Sequence, residues 1–206
     1  MPRSLNSKDW LRRHLTDPYV KRAKKDGYRS RSAYKLIELD EENKLLKAGM
    51  TVVDLGSAPG GWSQVAAAKV GKNGCVVAID LLDMEAIPGV TFVKGDFSEP
   101  AGLEALSAAF QGRKLDLVLS DMAPNLTGIA LTDQVRMFGL AELALDFSRQ
   151  FLRPGGDVLI KVFQGSGYTE YVKAMREMFD KAVVKKPLSS RAESGELYLL
   201  GKARKH

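Results

Sequence analysis

Four apolar runs in the sequence each end in or next to an aspartate. The runs are residues 51–55, 75–80, 90–96 and 115–121, and the aspartates are Asp54, Asp80, Asp96 and Asp121. Any one of these acids is equally well explained as a polar turn residue. Four in succession are better explained by a shared ligand, because the carboxyl ends of parallel strands meet at one edge of a sheet, where α/β proteins bind ligands.

A glycine-rich loop follows the first of these runs, in the segment TVVDLGSAPGGWSQ at residues 51–64. The segment predicts the strand, loop and helix that open a doubly wound sheet. Gly56 and Gly61 have the spacing of a dinucleotide-binding loop, but Ala58 stands where such a loop needs a glycine to approach the pyrophosphate. The lysine of a phosphate-binding P-loop is absent as well. The loop therefore favours a nucleoside without phosphates, and S-adenosylmethionine is the leading candidate cofactor.

Two of the acids suit that cofactor. Asp80 follows Gly56 by 24 residues, the position of an acid that accepts hydrogen bonds from both hydroxyls of a ribose. An acid there would serve a nicotinamide enzyme equally well. Asp96 ends the third run, near the expected edge of an adenine base. Both residues are therefore candidate cofactor-binding groups.

A lysine interrupts the apolar run DVLIKVF at residues 157–163. A parallel strand that is covered on both faces is continuously hydrophobic, and a lysine is almost never fully buried unless it is paired. Lys161 is therefore a candidate catalytic group at the ligand crevice. The alternative is a lysine that snorkels to the surface from an edge strand. Lys35, on a helix, and Glu196, at the start of a strand, are ordinary when taken alone.

Helices and strands alternate along the chain, which predicts an α/β fold. The patterns predict helices at about 32–44, 63–70, 99–111, 132–152 and 168–180, and further strands at 157–163, 181–187 and 196–202. Ser30 or Ser32 is expected to cap the first helix. Pro154-Gly155-Gly156 is expected to end the preceding helix sharply, before the next strand. The last two strands are expected to form a hairpin joined by residues 188–195.

The composition fits one α/β domain, since 45% of the 206 residues are hydrophobic. No apolar run approaches the ~20 residues of a membrane span and no signal peptide is recognised, so we expect no membrane association. Cys75 is the single cysteine, which excludes a disulfide framework and favours a reducing, cytoplasmic location. His14 and His206 are the only histidines, which argues against a metal site or a histidine-based triad.

Positive charge is concentrated at the two ends of the sequence. Residues 1–35 contain 11 lysines and arginines against 3 acids, residues 181–206 contain 7 against 2, and residues 36–180 are net negative. Aromatic residues alternate with the first group of cations: Trp10, Arg12, Arg13, Tyr19, Lys21, Arg22, Lys24, Lys25, Tyr28, Arg29 and Arg31. Phosphate contacts combined with base stacking are how proteins grip RNA. We expect residues 1–30 to bind RNA and residues 31–206 to form the catalytic fold of a single domain. The alternative is a solvated basic arm.

Six distinctive motifs are spread over nearly the whole chain: RSRSAYKL, GMTVVDLGSAPGGWSQV, GDF, SDMAPN, RPGGDVLIKVFQG and SSRAESGELYL. They closely resemble motifs of the FtsJ/RrmJ (RlmE-type) ribosomal RNA 2′-O-ribose methyltransferases. The resemblance implies a Rossmann-like, S-adenosylmethionine-dependent methyltransferase fold. Such a fold has a mostly parallel central sheet, an antiparallel last strand and helices on both faces.

The resemblance also implies roles for particular residues. It places the family's Lys-Asp-Lys-Glu tetrad on Lys35, Asp121, Lys161 and Glu196. It assigns cofactor contacts to Gly60, Trp62, Asp80, Asp96 and Asp121, and the loop adds Gly56 and Asp54. The implied substrate is a uridine in the A-loop of large-subunit ribosomal RNA, within the assembled ribosomal subunit. We expect the enzyme to act as a monomer.

The chemistry asks two things of such a protein. Oxygen, methyl and sulfur must be aligned in line, and the ribose 2′-hydroxyl must lose one proton. A lysine is protonated at neutral pH unless burial or a neighbouring cation lowers its pKa. We predict that Lys161 is the base, or steers the hydroxyl lone pair, and that Lys35 orients the ribose. Asp121 and Glu196 are expected to position the two lysines.

Other functions fit the sequence less well. An exocyclic-amine methyltransferase usually follows its fourth strand with Pro-Pro-aromatic, whereas this chain has Met122-Ala123-Pro124-Asn125. A cytosine carbon-5 enzyme needs a nucleophilic cysteine, and Cys75 lies in the wrong strand. A small-molecule methyltransferase would not need the basic ends. A non-catalytic RNA chaperone or ribosome-assembly factor would not need Lys161 in an apolar strand. Eukaryotic relatives with the same tetrad act on tRNA or mRNA caps, and the lack of extra domains favours the bacterial or archaeal rRNA type.

Overall fold

The computed structural model describes residues 15–124, 128, 130–165, 167–191 and 194–206. The strands are β1 (Thr51–Leu55), β2 (Cys75–Asp80), β3 (Val90–Lys94), β4 (Leu115–Ser120), β5 (Leu152–Phe163), β6 (Phe179–Lys185) and β7 (Glu196–Arg204). The helices are α1 (Pro18–Asp26), α2 (Ala33–Asn43), α3 (Gly61–Val70), α4 (Pro100–Ala109), α5 (Ala130–Phe151) and α6 (Tyr168–Met178). None of the described helices is long and apolar enough to cross a membrane.

The strands form one seven-stranded sheet in the order β3-β2-β1-β4-β5-β7-β6. Strands β1 to β5 are parallel, and β7 lies antiparallel between β5 and β6. The predicted α/β fold, with a mostly parallel sheet and an antiparallel last strand, is confirmed. The strand order reverses between β1 and β4, and doubly wound sheets bind ligands outside the carboxyl ends at such a switch point.

Helices cover both faces of the sheet. Successive strand residues point to opposite faces, so each strand contributes side chains to both layers of helices. On one face, Val53 of β1 and Ile160 of β5 pack with residues of α4, α5 and α6. On the other face, Val52 and Leu159 pack with residues of α2 and α3. Lys161 alternates with Ile160 and therefore shares the face of Leu159 and α2. The fold thus brings a helix from the start of the chain over a strand from its second half.

The helix α2 begins without the predicted serine cap. Ser32 precedes the helix but makes no side-chain bond to its free N–H groups. The Ser32 hydroxyl lies 2.6 Å from the Ser30 hydroxyl instead. The Ser32 backbone is itself helical, with φ −62° and ψ −22°, whereas a residue that caps a helix normally has an extended backbone. The prediction of the helix was right, and the prediction of its cap was wrong.

Strand β5 begins before the residues that were expected to precede it. Leu152 already pairs with Leu115, and regular pairing resumes at Asp157 with Leu117. The segment Pro154-Gly155-Gly156 is therefore an irregularity inside the strand rather than a stop before it. Glycine at position 155 supports this geometry, since its φ is +77°.

Candidate active site

A cleft of about 1040 Å³ opens beyond the carboxyl ends of β1 to β4. Asp80, Asp96 and Asp121 line it, so three of the four predicted strand-end acids meet at one site. Helix α5 forms the opposite wall with Leu140 and its neighbours. The fourth acid, Asp54, is fully buried below the loop and does not reach the cleft.

Asp80 is held by the glycine-rich loop. Its Oδ2 accepts a hydrogen bond from the backbone N–H of Ala58 at 2.8 Å, and its Oδ1 accepts one from the N–H of Leu82 at 2.8 Å. Each carboxylate oxygen can accept about two hydrogen bonds, so both retain capacity for a ligand. The geometry therefore leaves Asp80 free for the predicted bonds to two ribose hydroxyls.

Asp96 lies in a turn beyond β3, since the strand ends at Lys94 rather than at residue 96. Its Oδ1 accepts hydrogen bonds from the N–H of Ser98 at 2.8 Å and from the Ser98 hydroxyl at 2.5 Å. Helix α4 packs tightly on this turn: a Cβ at Gly102 would stand 1.9 Å from the Asp96 carbonyl oxygen. Gly102 was not predicted as a site residue, and it sets the position of Asp96 by allowing this contact.

The glycines and the tryptophan of the loop have different places. A Cβ at Gly56 would stand 2.5 Å from Met122 Cγ, so only glycine lets the ends of β1 and β4 approach this closely. Gly60 and Trp62 do not line the cleft. Gly60 directly precedes α3 with a φ of +108°, and the buried Trp62 ring binds the Ser32 carbonyl. Gly60 and Trp62 therefore support the loop from behind and connect it to α2.

Asp54 is buried beneath the same loop. The Ser63 hydroxyl donates to its Oδ2 at 2.6 Å, and its Oδ1 has no hydrogen-bond partner within the described part of the chain. Burial raises the pKa of Asp54 to about 7. The hydrogen bond from Ser63 opposes this shift, and the charges of Asp121 and Asp80 add to it. Burial below the glycine-rich loop thus disfavours a negative charge on Asp54.

The lining of the cleft suits a positively charged nucleoside better than one that carries phosphates. Among its described residues, the acids Asp80, Asp96, Asp121, Glu142 and Asp146 outnumber one basic residue, Arg136. Such a surface repels phosphate groups and attracts a cation. A sulfonium nucleoside is a cation without phosphates. The residues present therefore fit S-adenosylmethionine.

A second cluster begins at Asp121, on the border of the cleft. Lys161 Nζ donates to the Asp121 backbone carbonyl at 2.6 Å and lies 3.2 Å from Asp121 Oδ1. The Lys161 side chain is only 8% exposed, and β5 lies between β4 and β7. The alternative of a lysine that snorkels from an edge strand is therefore wrong. Lys161 is a buried, paired cation site, as its place in an apolar run predicted.

Lys35 of α2 and Glu196 of β7 form a second ion pair beside the first, with 2.6 Å between Nζ and Oε1. Tyr198 connects the two pairs. Its hydroxyl donates to Asp121 Oδ1 at 2.7 Å, and its ring centroid lies 5.7 Å from Lys35 Nζ. The structure thus brings all four predicted catalytic residues together, from α2, the end of β4, β5 and β7.

Tyr198 was not among the predicted site residues. A signal for it was present, because Tyr198 follows Glu196 by two positions on a strand, and such side chains share one face. Burial raises the pKa of the Tyr198 phenol well above its usual value. The phenol therefore stays protonated, and remains a hydrogen-bond donor, throughout the neutral and mildly alkaline range.

The segment that leads into α2 is tied to the cofactor loop by Arg29. The Arg29 guanidinium donates to the backbone carbonyls of Pro59 at 3.3 Å, Glu85 at 2.6 Å and Ala86 at 2.8 Å. Its backbone N–H donates to Gln64 Oε1 at 2.8 Å. Arg29 was predicted as part of the RNA-binding surface. Its hydrogen bonds connect the segment before α2 to the loops that follow β1 and β2.

Arg31 is similarly engaged. Its Nη1 lies 3.0 Å from Asp17 Oδ2, and its Nη2 donates to the Ser189 carbonyl. The predicted cations of α1 are exposed: Lys21, Lys24 and Lys25, together with Arg22, which pairs with Asp26. The predicted RNA-binding residues Trp10, Arg12 and Arg13 lie outside the described residues.

Comparison with known proteins agrees with this geometry. A profile of the family described as FtsJ-like methyltransferase matches residues 28–204. The chain is 55% identical over 205 residues to the ribosomal RNA large subunit methyltransferase E of Chromobacterium violaceum, with 100% of each chain covered. It is 54% identical over 202 residues to the protein of that name from Pseudomonas aeruginosa, with 98% of each covered. A solved structure described as a ribosomal RNA methyltransferase from Plasmodium falciparum has a TM-score of 0.76 and 30% identity, and covers 86% of this chain and 98% of that one.

The fold and the site define a Rossmann-like methyltransferase with an acidic cleft beside a lysine–carboxylate cluster. The chain belongs to the FtsJ-like methyltransferase family. The resemblance that its motifs predicted is therefore confirmed over nearly the whole chain.

Proposed function

We propose that this chain is an S-adenosylmethionine-dependent methyltransferase that modifies a ribose 2′-hydroxyl of ribosomal RNA. Asp121 is the observation that carries the proposal, because it belongs to both parts of the site. It lines the acidic cleft, and it binds Lys161 of the catalytic cluster. A cofactor in the cleft and a ribose beside Lys161 would therefore meet at this residue, as in-line transfer requires.

The cleft residues would hold the cofactor by its nucleoside. Asp80 would accept hydrogen bonds from the ribose hydroxyls, and Asp96 would lie beside the adenine. Gly56 keeps the floor of the cleft free of side-chain atoms, while Asp54 and Ser63 support the loop from below. The bound cofactor supplies an activated methyl group with a neutral leaving group.

The protein's own groups must then orient the acceptor hydroxyl and take its proton. Lys161 Nζ donates to the carbonyl of Asp121 and forms an ion pair with its Oδ1. The nitrogen has three bonding positions besides its bond to carbon, so a position remains for the hydroxyl. As a neutral amine, Lys161 would use a lone pair there to accept the proton. As an ammonium, it would place a hydrogen there and steer the lone pair of the oxygen.

Lys35 and Glu196 would position the ribose on the other side of Tyr198. Lys35 Nζ forms an ion pair with Glu196 Oε1, and the hydrogens of the ammonium that face away from Glu196 are available to oxygens of the nucleotide. The pair is nearly buried, with side chains 11% and 13% exposed. Its geometry is therefore held by the protein before substrate binds, which favours catalysis by orientation.

Large-subunit ribosomal RNA is the proposed substrate, and the uridine of its A-loop in the assembled subunit is the proposed target. The names of the relatives from Chromobacterium violaceum and Pseudomonas aeruginosa support the substrate. The exposed lysines of α1 support an RNA-binding role for residues 1–30 within a single domain of residues 1–206. The target nucleotide rests on the resemblance of the sequence motifs alone.

Mapping of 2′-O-methyl groups tests the proposal. Ribosomal RNA would be compared between cells that lack the protein and the same cells given the wild type or Lys161→Ala. We expect one A-loop uridine to lose its methyl group, and the wild type but not the variant to restore it. A map that the deletion leaves unchanged would contradict the target, and restoration by Lys161→Ala would contradict the chemistry.

A further inference from the structure

Tyr198 occupies the centre of the catalytic cluster without belonging to either ion pair. In the antiparallel pairing of β5 and β7, it stands directly opposite Lys161. Tyr198 is fully buried, and α2 and α3 cover the face of the sheet on which its side chain lies. The side chain therefore has one fixed position, between Lys161 and the Lys35–Glu196 pair.

The Tyr198 hydroxyl and Lys161 share one acceptor atom. Asp121 Oδ1 lies 2.7 Å from the hydroxyl oxygen and 3.2 Å from Lys161 Nζ. The shorter bond goes to the neutral donor, although an ammonium is the stronger partner for a carboxylate. The hydroxyl thus holds Oδ1 toward β7 and offsets part of its negative charge. Lys161 is left with a longer contact to Oδ1 and a closer one to the backbone carbonyl.

The Tyr198 ring supports the second pair and the cofactor loop. Its centroid lies 5.7 Å from Lys35 Nζ, within the range of a cation–π contact. It lies 5.7 Å from the ring centroid of Trp62, which stands in the first turn of the helix after the loop. One residue therefore touches the acid of the first pair, the lysine of the second and the support of the cofactor cleft.

We propose that Tyr198 is a positioning residue for methyl transfer, whose hydroxyl limits how tightly Asp121 holds Lys161. This inference rests on the proposed function of the site. Without the hydroxyl, the full charge of Asp121 would turn to Lys161 and favour its protonated form. Lys161 would then be available as a base only at higher pH.

The pH dependence of methyl transfer follows from the charged groups that the described contacts place around Lys161. Asp121 favours the ammonium, and so does the more distant Glu196, which Lys35 neutralises. Tyr198 stays protonated, and Arg31 adds positive charge near its phenol. Removal of the hydroxyl changes only the first of these influences. The acid limb of the pH–rate profile should therefore move to higher pH.

The test compares Tyr198→Phe with the wild type and with Tyr171→Phe. The control also removes a buried phenol hydroxyl, one that donates to the Ala141 carbonyl between α6 and α5. The kcat for methylation of large ribosomal subunits, taken from cells that lack the protein, would be measured against pH with saturating cofactor. For Tyr198→Phe we expect a roughly tenfold loss near neutral pH and an acid limb about one pH unit higher, the size that one charged hydrogen bond supports. The two profiles should converge at high pH, and KM for cofactor and RNA should not change.

Three results would overturn the inference. One is a Tyr198→Phe profile that superimposes on that of the wild type, and another is a rate lowered by the same factor at every pH, which indicates a packing defect. The third is a wild-type profile without an acid limb. Thermal unfolding of both variants shows whether each is folded. Inactivity of the wild type on large ribosomal subunits that lack the A-loop methyl group would instead contradict the proposed function, so the two failures are distinguishable.

Discussion

The cleft that contains Asp80 and Asp96 and the cluster that contains Lys35, Lys161 and Glu196 meet at Asp121. The two sites are built in different ways. In the cleft, Asp80 and Asp96 each follow their own strand and are held by backbone N–H groups two residues away, at Leu82 and Ser98. The cluster instead joins Lys35, near the start of the described chain, to Glu196, near its end. Local turns position the first site, and long-range packing positions the second.

This difference has a consequence for function. A residue of the cleft can be replaced without moving its neighbours far, because each acid has its own turn. The cluster depends on the register of β7 against β5, which places Tyr198 opposite Lys161. A slip of one residue would turn Glu196 and Tyr198 to the other face of the sheet. Substitutions in the cleft should therefore affect cofactor binding, and substitutions in the cluster should affect transfer.

The largest effect is expected at Lys161. Because Lys161 belongs to the cluster and not to the cleft, its replacement should abolish methyl transfer without weakening the binding of cofactor or RNA. Lys161→Ala removes the proposed base, and Lys161→Arg keeps a charge that cannot be removed at any working pH. Both variants should lose kcat by at least about 10²-fold, the scale of a missing acid–base group. Single-turnover kinetics, with calorimetry for the cofactor and a binding assay for RNA, would check this.

The arginine variant separates the two roles that remain open for Lys161. Substantial activity in Lys161→Arg would show that a cation is sufficient, so that Lys161 steers the hydroxyl instead of accepting its proton. Full activity in Lys161→Ala would remove the residue from the mechanism.

Substitutions in the cleft should instead weaken the binding of the cofactor. Asp80→Ala and Asp96→Ala should each weaken S-adenosylmethionine binding by roughly 1.5–3 kcal/mol, the cost of hydrogen bonds to a charged acceptor. RNA binding should not change. Asp83→Ala is a matched control, because Asp83 lies in the same loop as Leu82 but its side chain is 84% exposed and outside the cleft. Calorimetry that finds equal cofactor affinity in all three variants would show that the acids do not hold the nucleoside.

Asp54 should reveal the strain beneath the cleft as a dependence of stability on pH. Its pKa is about 7 in the folded protein, above the ordinary value, so the folded state favours the protonated form. The stability this contributes is present at low pH and is lost as the pH rises toward 7. Asp54→Asn cannot ionise. Relative to the wild type it should gain about 2 kcal/mol of unfolding free energy between about pH 5.5 and pH 7.

Denaturant unfolding of the wild type and Asp54→Asn across this range would measure the gain. A difference between the two proteins that stays constant with pH would mean that Asp54 is ionised at all these values. The cleft would then rest on a stable carboxylate rather than on a strained one.

The smallest effect is expected on the basic surface. Changing Lys21, Lys24 and Lys25 of α1 to alanine together should weaken RNA binding and flatten its salt dependence, by roughly 0.7 in slope for each phosphate that the protein no longer neutralises. The control removes three exposed lysines that precede β1, β2 and β4, at the edge of the sheet opposite the cleft: Lys47, Lys72 and Lys114. Equal salt slopes for the two triple variants would show that α1 does not bind the RNA.

Much of the cleft could be predicted because its residues follow their own strands. The runs at 75–80 and 115–120 are largely apolar, so their ends, and the acids Asp80 and Asp121, could be placed within a residue. The exception is Asp54, which stands inside its strand and not at its end. Its apolar neighbours on both sides show why it is buried, but only the packing of α3 shows that Ser63 receives its carboxylate.

The basic segment shows where prediction from charge fails. Arg29 and Arg31 belong to the same run of basic residues as Lys24 and Lys25. Their surroundings differ, because the Arg29 guanidinium donates to the carbonyls of Pro59, Glu85 and Ala86, and Arg31 pairs with Asp17, a carboxylate that Arg191 also reaches. Lys24 and Lys25 are exposed. No local pattern reports which cations will find partners that are distant in the sequence.

The sequence by itself determined the α/β alternation, the glycine-rich loop with its strand-end acids and the unusual Lys161, because periodicity, turn chemistry and a lysine in an apolar run are local properties. Lys35 and Glu196 look ordinary in the sequence and became candidates only through the resemblance of the motifs to a family. Only the tertiary structure decided that β7 lies between β5 and β6, in the register that sets Tyr198 opposite Lys161. That pairing places the Tyr198 hydroxyl on Asp121 and closes the cluster around Lys161. Its physical reason is the packing of α2 and α3 on one face of the completed sheet, which no segment of the chain contains alone.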